Sequence, residues 1–345
     1  MTARGPIEIP VLRVGGTPRQ VGEQLGAATA ATVRAAVAGC PDAQIDRSQP
    51  FRDATTAALP EVIEELEGVA AGAGVDPYAL FAVSVEQLWD APPAHGSGRG
   101  RCTDLVAGSP ATLDGRLWVA HNNDLEAAAG GRVVAAVRRV EGLPEVFTIG
   151  VGPWISVGFN AAGLSVTGNE LSPTDVRPGI PPLLHMHRIV ALPTLERAVA
   201  ESLHPARSSS YNYVLAHRDG SVANIEGSAT DAETTGLDRD GVLVHTNHYV
   251  CERMRRYEAD PAYAVRSQTR YDVARAWLGR GPAGPELLRS ALSDHANAPD
   301  SLCRHASDGS STATVFWCIA DVSSGKIVFG GGNPCTSTDQ HHAFH

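Results

Sequence analysis

The pattern of the sequence changes from helical to strand-rich across residues 95–105, which read HGSGRGRCTDL. Residues 95–101 are polar and glycine-rich, so they predict an exposed, flexible loop with no hydrophobic surface to bury. The residues before this loop follow mainly helical patterns, whereas those from Cys102 onward follow the patterns of strands and turns. The sequence therefore predicts an α+β fold in which a helical region precedes a strand-rich region.

The helical region contains three predicted helices. Residues 16–38 place small and apolar side chains at steps of three and four residues, which aligns them on one face. A second helix is predicted to begin at Pro60 and to end near Gly72 and Gly74, and a third to cover residues 77–88. Two more helices are predicted beyond Cys102, at residues 194–203 and 267–278.

The strand-rich region reads as successive hairpins. Asp219-Gly220, between two apolar segments, is a strong signal for a tight hairpin turn. Successive hairpins pair their strands antiparallel, and the separate helices would then cover the outer faces of the sheets. The predicted strands cover residues 117–122, 133–140, 146–151, 155–159, 164–167, 211–217, 222–226, 314–320 and 326–329.

The composition is that of a globular protein. Of the 345 residues, 43% are hydrophobic and 19% are charged, which suits one large domain or two ordinary ones. The formal net charge of −10 disfavours the basic surface that nucleic acid requires. No apolar run reaches the ~18 residues of a membrane span, and the first residues carry no secretory signal pattern. We therefore expect a cytoplasmic protein without nucleic-acid or membrane partners.

Cys102 differs in context from the other five cysteines. A single cysteine is most often a small buried hydrophobic residue. Cys102, however, follows an exposed loop and precedes the first predicted strand, a place where a chain can be cut without disturbing its core. This position makes Cys102 the candidate nucleophile.

The residues around and after Cys102 resemble the start of the mature chain in N-terminal-nucleophile (Ntn) amidohydrolases. Within that group the similarity is closest to the cysteine-type family of isopenicillin N (acyl-coenzyme A:6-aminopenicillanic acid) acyltransferase. The resemblance implies a four-layer αββα sandwich of two antiparallel sheets with outer helices. The matching segments are RCT at 101–103, DG at 114–115, AHNND at 120–124, GFNAAGL at 158–164, GN at 168–169, HTNH at 245–248, TATV at 312–315 and Asp321, with the propeptide-like GVAAGAG at 68–74.

The resemblance implies that residues 1–101 are a helical propeptide and that residues 102–345 are the catalytic region, within one integrated domain. The precursor would cleave itself between Arg101 and Cys102 when the thiol attacks the preceding carbonyl. The new α-amine of Cys102, with an ordinary pKa of about 7.7–8.0, would then serve as the base for its own thiol. The cleaved N-terminal fragment would remain a partner of the catalytic region.

The same resemblance implies the roles of other residues. Asn169 and Asn247 match the family's oxyanion positions, where amide groups would stabilise a tetrahedral intermediate. Asp124 would hold and orient the α-amine and the thiol. The resemblance adds three supporting candidates. His121 stands where bile-salt-type hydrolases carry an arginine. Ser311 and Thr312 fall near a position where the family needs a hydroxyl group.

We expect an enzyme that hydrolyses the amide bond of a small N-acyl amine. An acyltransferase that moves an acyl group from a thioester, such as acyl-coenzyme A, to a small amine is the alternative. A second alternative is an uncleaved, noncatalytic binding protein on the same scaffold. No organic cofactor is implied, and a homo-oligomer is left open.

The 13 histidines raise the question of a metal site. His185 and His187 would share a face if they lay on a strand, and the Cys303-Arg304-His305 segment adds a thiol. The sequence contains neither an HExxH motif nor a CxxC pair to complete such a set. We therefore expect structural or solvated histidines, no metal, and a frayed C-terminus at residues 340–345.

Overall fold

The computed structural model describes residues 7–89, 101–306 and 311–344. Of the predicted loop at residues 95–101, residues 95–100 lie outside these ranges. The strands are β1 (Val11–Gly16), β2 (Thr103–Ala107), β3 (Trp118–Glu126), β4 (Val133–Val140), β5 (Val146–Val151), β6 (Val157–Asn160), β7 (Leu164–Glu170), β8 (Tyr211–His217), β9 (Val222–Gly227), β10 (Ala232–Thr235), β11 (Val242–His245), β12 (Thr312–Asp321), β13 (Lys326–Gly331) and β14 (Gln340–Ala343).

The helices are α1 (Pro18–Ala28), α2 (Ala30–Val37), α3 (Asp42–Ala58), α4 (Pro60–Ala73), α5 (Pro77–Val83), α6 (Pro182–Ile189), α7 (Leu195–Ser202), α8 (Pro261–Leu278) and α9 (Pro285–Leu292). Short 3₁₀ segments occupy Glu86–Leu88, Ala127–Arg132 and Glu252–Tyr257. Among the described residues, no helix combines the length and apolarity that crossing a membrane requires.

Two sheets form the centre of the molecule. The larger has eight strands in the order β1-β4-β5-β6-β7-β8-β9-β10, and the smaller has six in the order β11-β2-β3-β12-β13-β14. Apolar side chains from both, including Phe147 and Phe316, form the core between them. Helices α1–α7 pack on the outer face of the larger sheet, and α8 and α9 on that of the smaller. The predicted αββα sandwich is thus confirmed.

One edge of the larger sheet departs from the antiparallel prediction. Strand β1 runs parallel to β4, with Val11 opposite Ala135. All other strand pairs within the two sheets of the described chain are antiparallel. Because β1 precedes the N-terminal helices, the helical region contributes a strand to the sandwich as well as its outer layer.

Several local predictions were wrong. The helix expected over residues 16–38 is two helices separated at Thr29, whose hydroxyl bonds back to the carbonyl of Leu25. His185 and His187 lie on helix α6, where residues two apart point in different directions. Residues 340–343 form β14 paired with β13, so the C-terminus is not frayed there.

The glycines of the GVAAGAG segment bring α4 against α1. A Cβ added at Gly68 would lie 2.2 Å from the carbonyl oxygen of Arg19, and one at Gly72 would lie 2.1 Å from that of Glu23. Gly22 on α1 faces Glu65 in the same way, at 2.0 Å. The two helix backbones therefore touch, and any larger side chain would separate them.

A buried ion cluster ties the N-terminal helices to the larger sheet. Glu65 on α4 pairs with Arg138 on β4 and accepts from His187 Nδ1 on α6 at 2.9 Å. Burial alone would raise the pKa of Glu65, but the charges of Arg138 and His187 outweigh it and hold that pKa at about 2. The division of the chain at Arg101 stays a prediction; in the uncut chain the helical region packs against the sandwich.

Candidate active site

Cys102 lies directly before β2, between the two sheets. Its residue surface is only 6% exposed. The backbone N–H of Arg101 donates to the carbonyl of Asp124 on β3 at 3.0 Å, and the carbonyl of Cys102 accepts from Arg270 at 2.8 Å. The Arg101–Cys102 peptide bond is therefore held from both sides by the neighbouring strand and by helix α8.

The surroundings of the Cys102 thiol keep its proton in place. Burial raises the pKa of Cys102 well above its ordinary value, and the carboxylates of Asp124 and Asp104 raise it further, against the opposing charge of Arg270. Asn123 Nδ2 donates to Sγ at 3.5 Å. A thiol with so high a pKa is a poor nucleophile by itself and requires a nearby base.

Asp124 is a fully buried carboxylate on β3. Its Oδ1 accepts from the hydroxyl of Thr314 on β12 at 2.7 Å, and its Oδ2 lies 4.0 Å from Nε of Arg304. Burial raises the pKa of Asp124 to about 6, although Arg270, Thr314 and Arg304 all act in the opposite direction. Oδ2 has no hydrogen-bond partner among the described residues. An unpaired buried carboxylate oxygen is costly, which is typical of a functional site.

His121 is linked to the thiol of Cys102 through the side-chain amide of Asn123. Its Nδ1 lies 2.8 Å from Oδ1 of Asp104, and its Nε2 lies 3.4 Å from Nδ2 of Asn123. The same Nδ2 reaches Sγ of Cys102. A continuous buried series of polar groups thus runs from Asp104 through His121 and Asn123 to Cys102.

Asn169 on β7 has a fixed amide orientation. Its Oδ1 lies 2.9 Å from Nδ1 of His245, whose Nε2 lies 3.0 Å from Oε1 of Glu226. Asn212 donates to the same Oδ1 at 3.5 Å. With its oxygen so occupied, the amide presents Nδ2 as a donor, and this buried Nδ2 has no partner in the described part of the chain. Such an unused buried donor suits an oxyanion site.

Asn247 follows β11 and is held by two residues of α8. Its backbone N–H donates to Oγ of Ser267 at 2.7 Å, and its Oδ1 accepts from Nη2 of Arg270 at 2.9 Å. One hydrogen of its Nδ2 goes to the carbonyl of Glu170 at 3.1 Å. Because a carboxamide nitrogen carries two hydrogens, one remains available to a ligand.

The two hydroxyl candidates do not lie against the carboxylate. Ser311 is exposed, and its carbonyl accepts from the backbone of Ala127. Thr312 begins β12 opposite Glu126. The hydroxyl that bonds to Asp124 belongs to Thr314, two residues farther along the strand.

Cys102 opens on a largely apolar pocket with a cavity volume of about 80 Å³. Its walls include Leu125, Trp154, Leu183 and Met186. These side chains come from β3, from the loop after β5 and from α6. The pocket therefore suits an apolar acyl group that approaches Cys102.

Two polar groups meet in the wall of this pocket. The hydroxyl of Tyr211 donates to Oε2 of Glu86, which lies in the 3₁₀ segment before the predicted cleavage bond. Burial raises the pKa of Glu86 to about 7, and the bond from Tyr211 only partly offsets this. The helical region thus supplies one titratable group to the pocket.

Sequence reasoning missed the two arginines that are buried around Cys102 and Asp124. Arg270 and Arg304 are each only 1% exposed. The sequence around them offers no signal of this, because arginine is common on exposed helix and loop surfaces. Thr314, whose hydroxyl donates to Asp124, lies inside the TATV segment that supports the family resemblance.

Comparison with known proteins identifies the family. The model described as acyl-coenzyme A:6-aminopenicillanic acid acyl-transferase matches residues 111–335, almost two thirds of the chain. The chain belongs to this family. The family match contains Asp124, Asn169 and Asn247, and it begins after Cys102. The resemblance stated from the sequence is therefore confirmed at the level of the family.

A curated relative of the family aligns along nearly the whole chain. The acyl-coenzyme A:6-aminopenicillanic-acid-acyltransferase 40 kDa form of Emericella nidulans is 23% identical over 337 residues, which cover 92% of this chain and 91% of that protein. The family and this relative are named for acyl transfer, so the coarse chemistry is that of an acyl-transferring enzyme family.

Solved structures with some similarity are more distant. An N-acylethanolamine-hydrolyzing acid amidase ortholog of Caenorhabditis elegans is 16% identical, with a TM-score of 0.46 over 64% of this chain and 93% of its own. A conjugated bile acid hydrolase of Clostridium perfringens is 12% identical, with a TM-score of 0.46 over 71% and 97%. Penicillin V acylase of Agrobacterium tumefaciens is 12% identical, with a TM-score of 0.46 over 67% and 82%.

Proposed function

We propose that this chain is a self-processing cysteine amidohydrolase, which cleaves the amide bond of a small N-acyl amine through an acyl-thioester on Cys102. One observation carries the proposal. Arg270 donates from one nitrogen to the carbonyl of Cys102 and from the other to Oδ1 of Asn247. The proposed nucleophile and a proposed oxyanion donor, far apart in sequence, are thereby joined in one buried group.

Processing would use the thiol before the α-amine exists. Sγ of Cys102 attacks the carbonyl carbon of Arg101, the C–N bond breaks, and the nitrogen leaves as the α-amine with the thiol proton. Water then hydrolyses the thioester, which releases the carboxylate of Arg101 and restores the thiol. The hydrogen bond from the backbone of Arg101 to Asp124 supports this step by holding the bond in place.

Turnover would use the freed α-amine as the base. It accepts the proton of the thiol as Sγ attacks the acyl carbonyl, and Asn169 and Asn247 donate to the oxyanion. The proton then passes to the leaving amine, and water hydrolyses the acyl-thioester to a free acid. Asp124, whose buried Oδ2 has no hydrogen-bond partner among the described residues, orients the α-amine.

The pocket supports an apolar acyl group on the scissile carbonyl. Its lining next to Cys102 is mainly aliphatic and aromatic, and of its two half-buried carboxyls, Glu86 and Glu170, Glu86 accepts a hydrogen bond from the phenol of Tyr211. Acyl transfer to a small amine is the alternative, because the family and the Emericella relative carry that name. The two reactions differ only in whether water or an amine resolves the thioester.

The test begins with intact mass and N-terminal sequencing of the purified protein. Fragments of residues 1–101 and 102–345 support the proposal, whereas a single intact chain that turns nothing over supports the noncatalytic binding protein. Cys102→Ala should abolish both cleavage and turnover, and Cys40→Ser, a change at a distant cysteine, should affect neither. Turnover by the Cys102→Ala protein would overturn the assignment of the nucleophile.

The reaction is then distinguished with substrate pairs. The processed protein is incubated with N-acyl amines and with acyl thioesters, each with and without a second amine. Free acid as the main product in both cases supports hydrolysis. A new amide that forms in proportion to the added amine supports acyl transfer.

A further inference from the structure

Four metal-binding side chains converge away from the active-site pocket. Nε2 of His295 lies 3.1 Å from Nε2 of His305, and Sγ of Cys303 lies 3.6 Å from Sγ of Cys335. Nε2 of His305 lies 3.7 Å from the first sulfur and 3.3 Å from the second. All four donor atoms fall within 4.8 Å of one another.

These distances match the edges of a metal tetrahedron. With Zn–S near 2.3 Å and Zn–N near 2.0–2.1 Å, a tetrahedral centre separates two sulfurs by about 3.8 Å, two nitrogens by about 3.3 Å and a mixed pair by about 3.6 Å. We propose that His295, Cys303, His305 and Cys335 form a structural Cys₂His₂ site for a zinc ion. A set of two soft thiolates and two imidazoles in this geometry selects zinc among the common cellular cations.

A disulfide does not account for the arrangement. The two sulfurs are 3.6 Å apart, well beyond the ~2.05 Å of an S–S bond, and two histidine nitrogens point at the same place. Four donors from three chain segments would meet by chance only rarely. His295 follows α9, Cys303 and His305 lie in the loop before β12, and Cys335 follows β13.

The surrounding residues hold these segments in position without the metal. Asn333 Nδ2 donates to the carbonyl of Arg304 and reaches Sγ of Cys303 at 3.5 Å. Arg289 Nε donates to the carbonyl of Pro334 at 2.8 Å, which fixes the loop that carries Cys335. Asn122 on β3 donates to the carbonyls of Leu292 and Leu302, at 2.9 and 2.8 Å. Such outer contacts orient metal ligands.

The proposed zinc site would support Asp124 through the backbone of Arg304. Arg304 stands between two of the ligands, and its side chain faces Asp124. Its backbone N–H donates to Oγ1 of Thr314 and its carbonyl accepts from the N–H of Thr314, both at 3.0 Å. Since Thr314 donates to Asp124, a zinc ion would hold the strand end that supports this carboxylate. With four protein ligands the ion has no open position, so its role is structural.

This inference differs from the expectation of no metal drawn from the sequence. That expectation rested on the absence of an HExxH motif and of a CxxC pair, and the two cysteines of the proposed site are 32 residues apart. Only the pairing of β12 with β13 brings them together. The Cys303-Arg304-His305 segment was noticed as a possible ligand pair, but its partners were not.

The experiment measures metal content by plasma mass spectrometry on protein purified under reducing conditions. We expect one zinc per chain, and a loss of roughly tenfold or more in retained zinc for Cys335→Ser and His295→Ala. Both replaced residues are exposed, so the variants should fold, which circular dichroism checks. Cys40→Ser is the control and should keep its zinc. The same measurements on the Cys102→Ala background separate this site from any failure of self-processing.

Cobalt provides a second measurement that does not depend on activity. Co²⁺ added to the chelated protein should give the visible bands of a tetrahedral thiolate site in the wild type and in Cys40→Ser, and weaker, shifted bands in Cys335→Ser. Equal zinc content in all variants, absence of the cobalt bands, or a Cys303–Cys335 disulfide in the purified metal-free protein would each overturn the proposal.

Discussion

The guanidinium of Arg270 donates to the carbonyl of Cys102 at 2.8 Å across 168 residues of sequence. It also donates to Thr103 Oγ1 at 3.2 Å and to Asn247 Oδ1 at 2.9 Å, so three acceptors depend on one buried cation. Removing the guanidinium leaves these acceptors buried and unpaired. Each unsatisfied group costs about 1–3 kcal/mol, and the positions of Cys102 and Asn247 relax together.

Arg270→Leu should therefore lose both processing and thermal stability. Arg270→Lys should recover part of the stability, because an ammonium can reach some acceptors but cannot bridge them in the same geometry. Differential scanning calorimetry and intact mass measure the two effects. Arg275→Leu, a change at a half-exposed arginine of the same helix, is the control, and an equal loss of processing in that variant would contradict the role of Arg270.

Asn169→Ala should lower kcat about 10²–10³-fold while substrate binding changes little, since an oxyanion donor acts mainly in the transition state. The matched control is Asn160→Ala. Asn160 is also a buried amide, but both of its nitrogen hydrogens are used by the carbonyls of Val190 and Leu192. That variant should lose stability and retain kcat. A normal kcat in Asn169→Ala would refute the assignment.

Asn247→Ala should show a similar loss in kcat for the same reason, of about 10²–10³-fold. Its oxygen also anchors Arg270, so a fall in stability is expected as well. Steady-state kinetics of the processed protein, with the melting temperature of each variant as a reference, separate the two effects. An unchanged kcat in a folded variant would exclude Asn247 from the oxyanion site.

Thr314→Val should move the acid limb of the pH–rate profile to higher pH. The hydroxyl bond from Thr314 lowers the pKa of Asp124, which burial raises to about 6, so loss of that bond raises the pKa further. If turnover requires the ionised carboxylate of Asp124, the variant loses activity at a higher pH than the wild type does. A bond worth about 1 kcal/mol corresponds to a shift of roughly 0.7 pH unit. Thr312→Val, a neighbour without this contact, should leave the profile unchanged.

Glu86→Gln should change how stability depends on pH. The folded-state pKa of about 7 lies above the ordinary 4.5, so the folded protein binds this proton more tightly than the unfolded chain does. The contribution of Glu86 to the free energy of unfolding therefore falls as the pH rises from about 4.5 to 7, by at most about 3 kcal/mol because the side chain is only half-buried. Glu86→Gln lacks this contribution. Urea unfolding at several pH values measures the difference, and identical pH slopes would contradict it.

The bounds of the strands and helices show which parts of the secondary structure can be predicted from the sequence. The predictions for residues 133–140, 146–151 and 211–217 coincide with β4, β5 and β8, because β-branched segments bounded by turn residues specify strands locally. Helices α6 and α9, of eight residues each, were not predicted. Helix α7 has the same length but was predicted from its N-cap residue Thr194, whereas α6 and α9 follow Pro181 and Gly284, which provide no side-chain cap. The 17-residue helix α3 was also not predicted; it too lacks a side-chain cap, and it contains Pro50.

The sequence by itself determined the α+β class through local periodicity, and it indicated the family and the αββα layer order through the resemblance of its motifs, whose order can be read along the chain. Only the tertiary structure decided which polar groups are buried together. Arg270 beside Cys102, Thr314 beside Asp124, and the two cysteines of the proposed zinc site meet through strand pairing and helix packing across long stretches of chain. The burial of a charge depends on the partners that surround it, and the local pattern does not contain those partners.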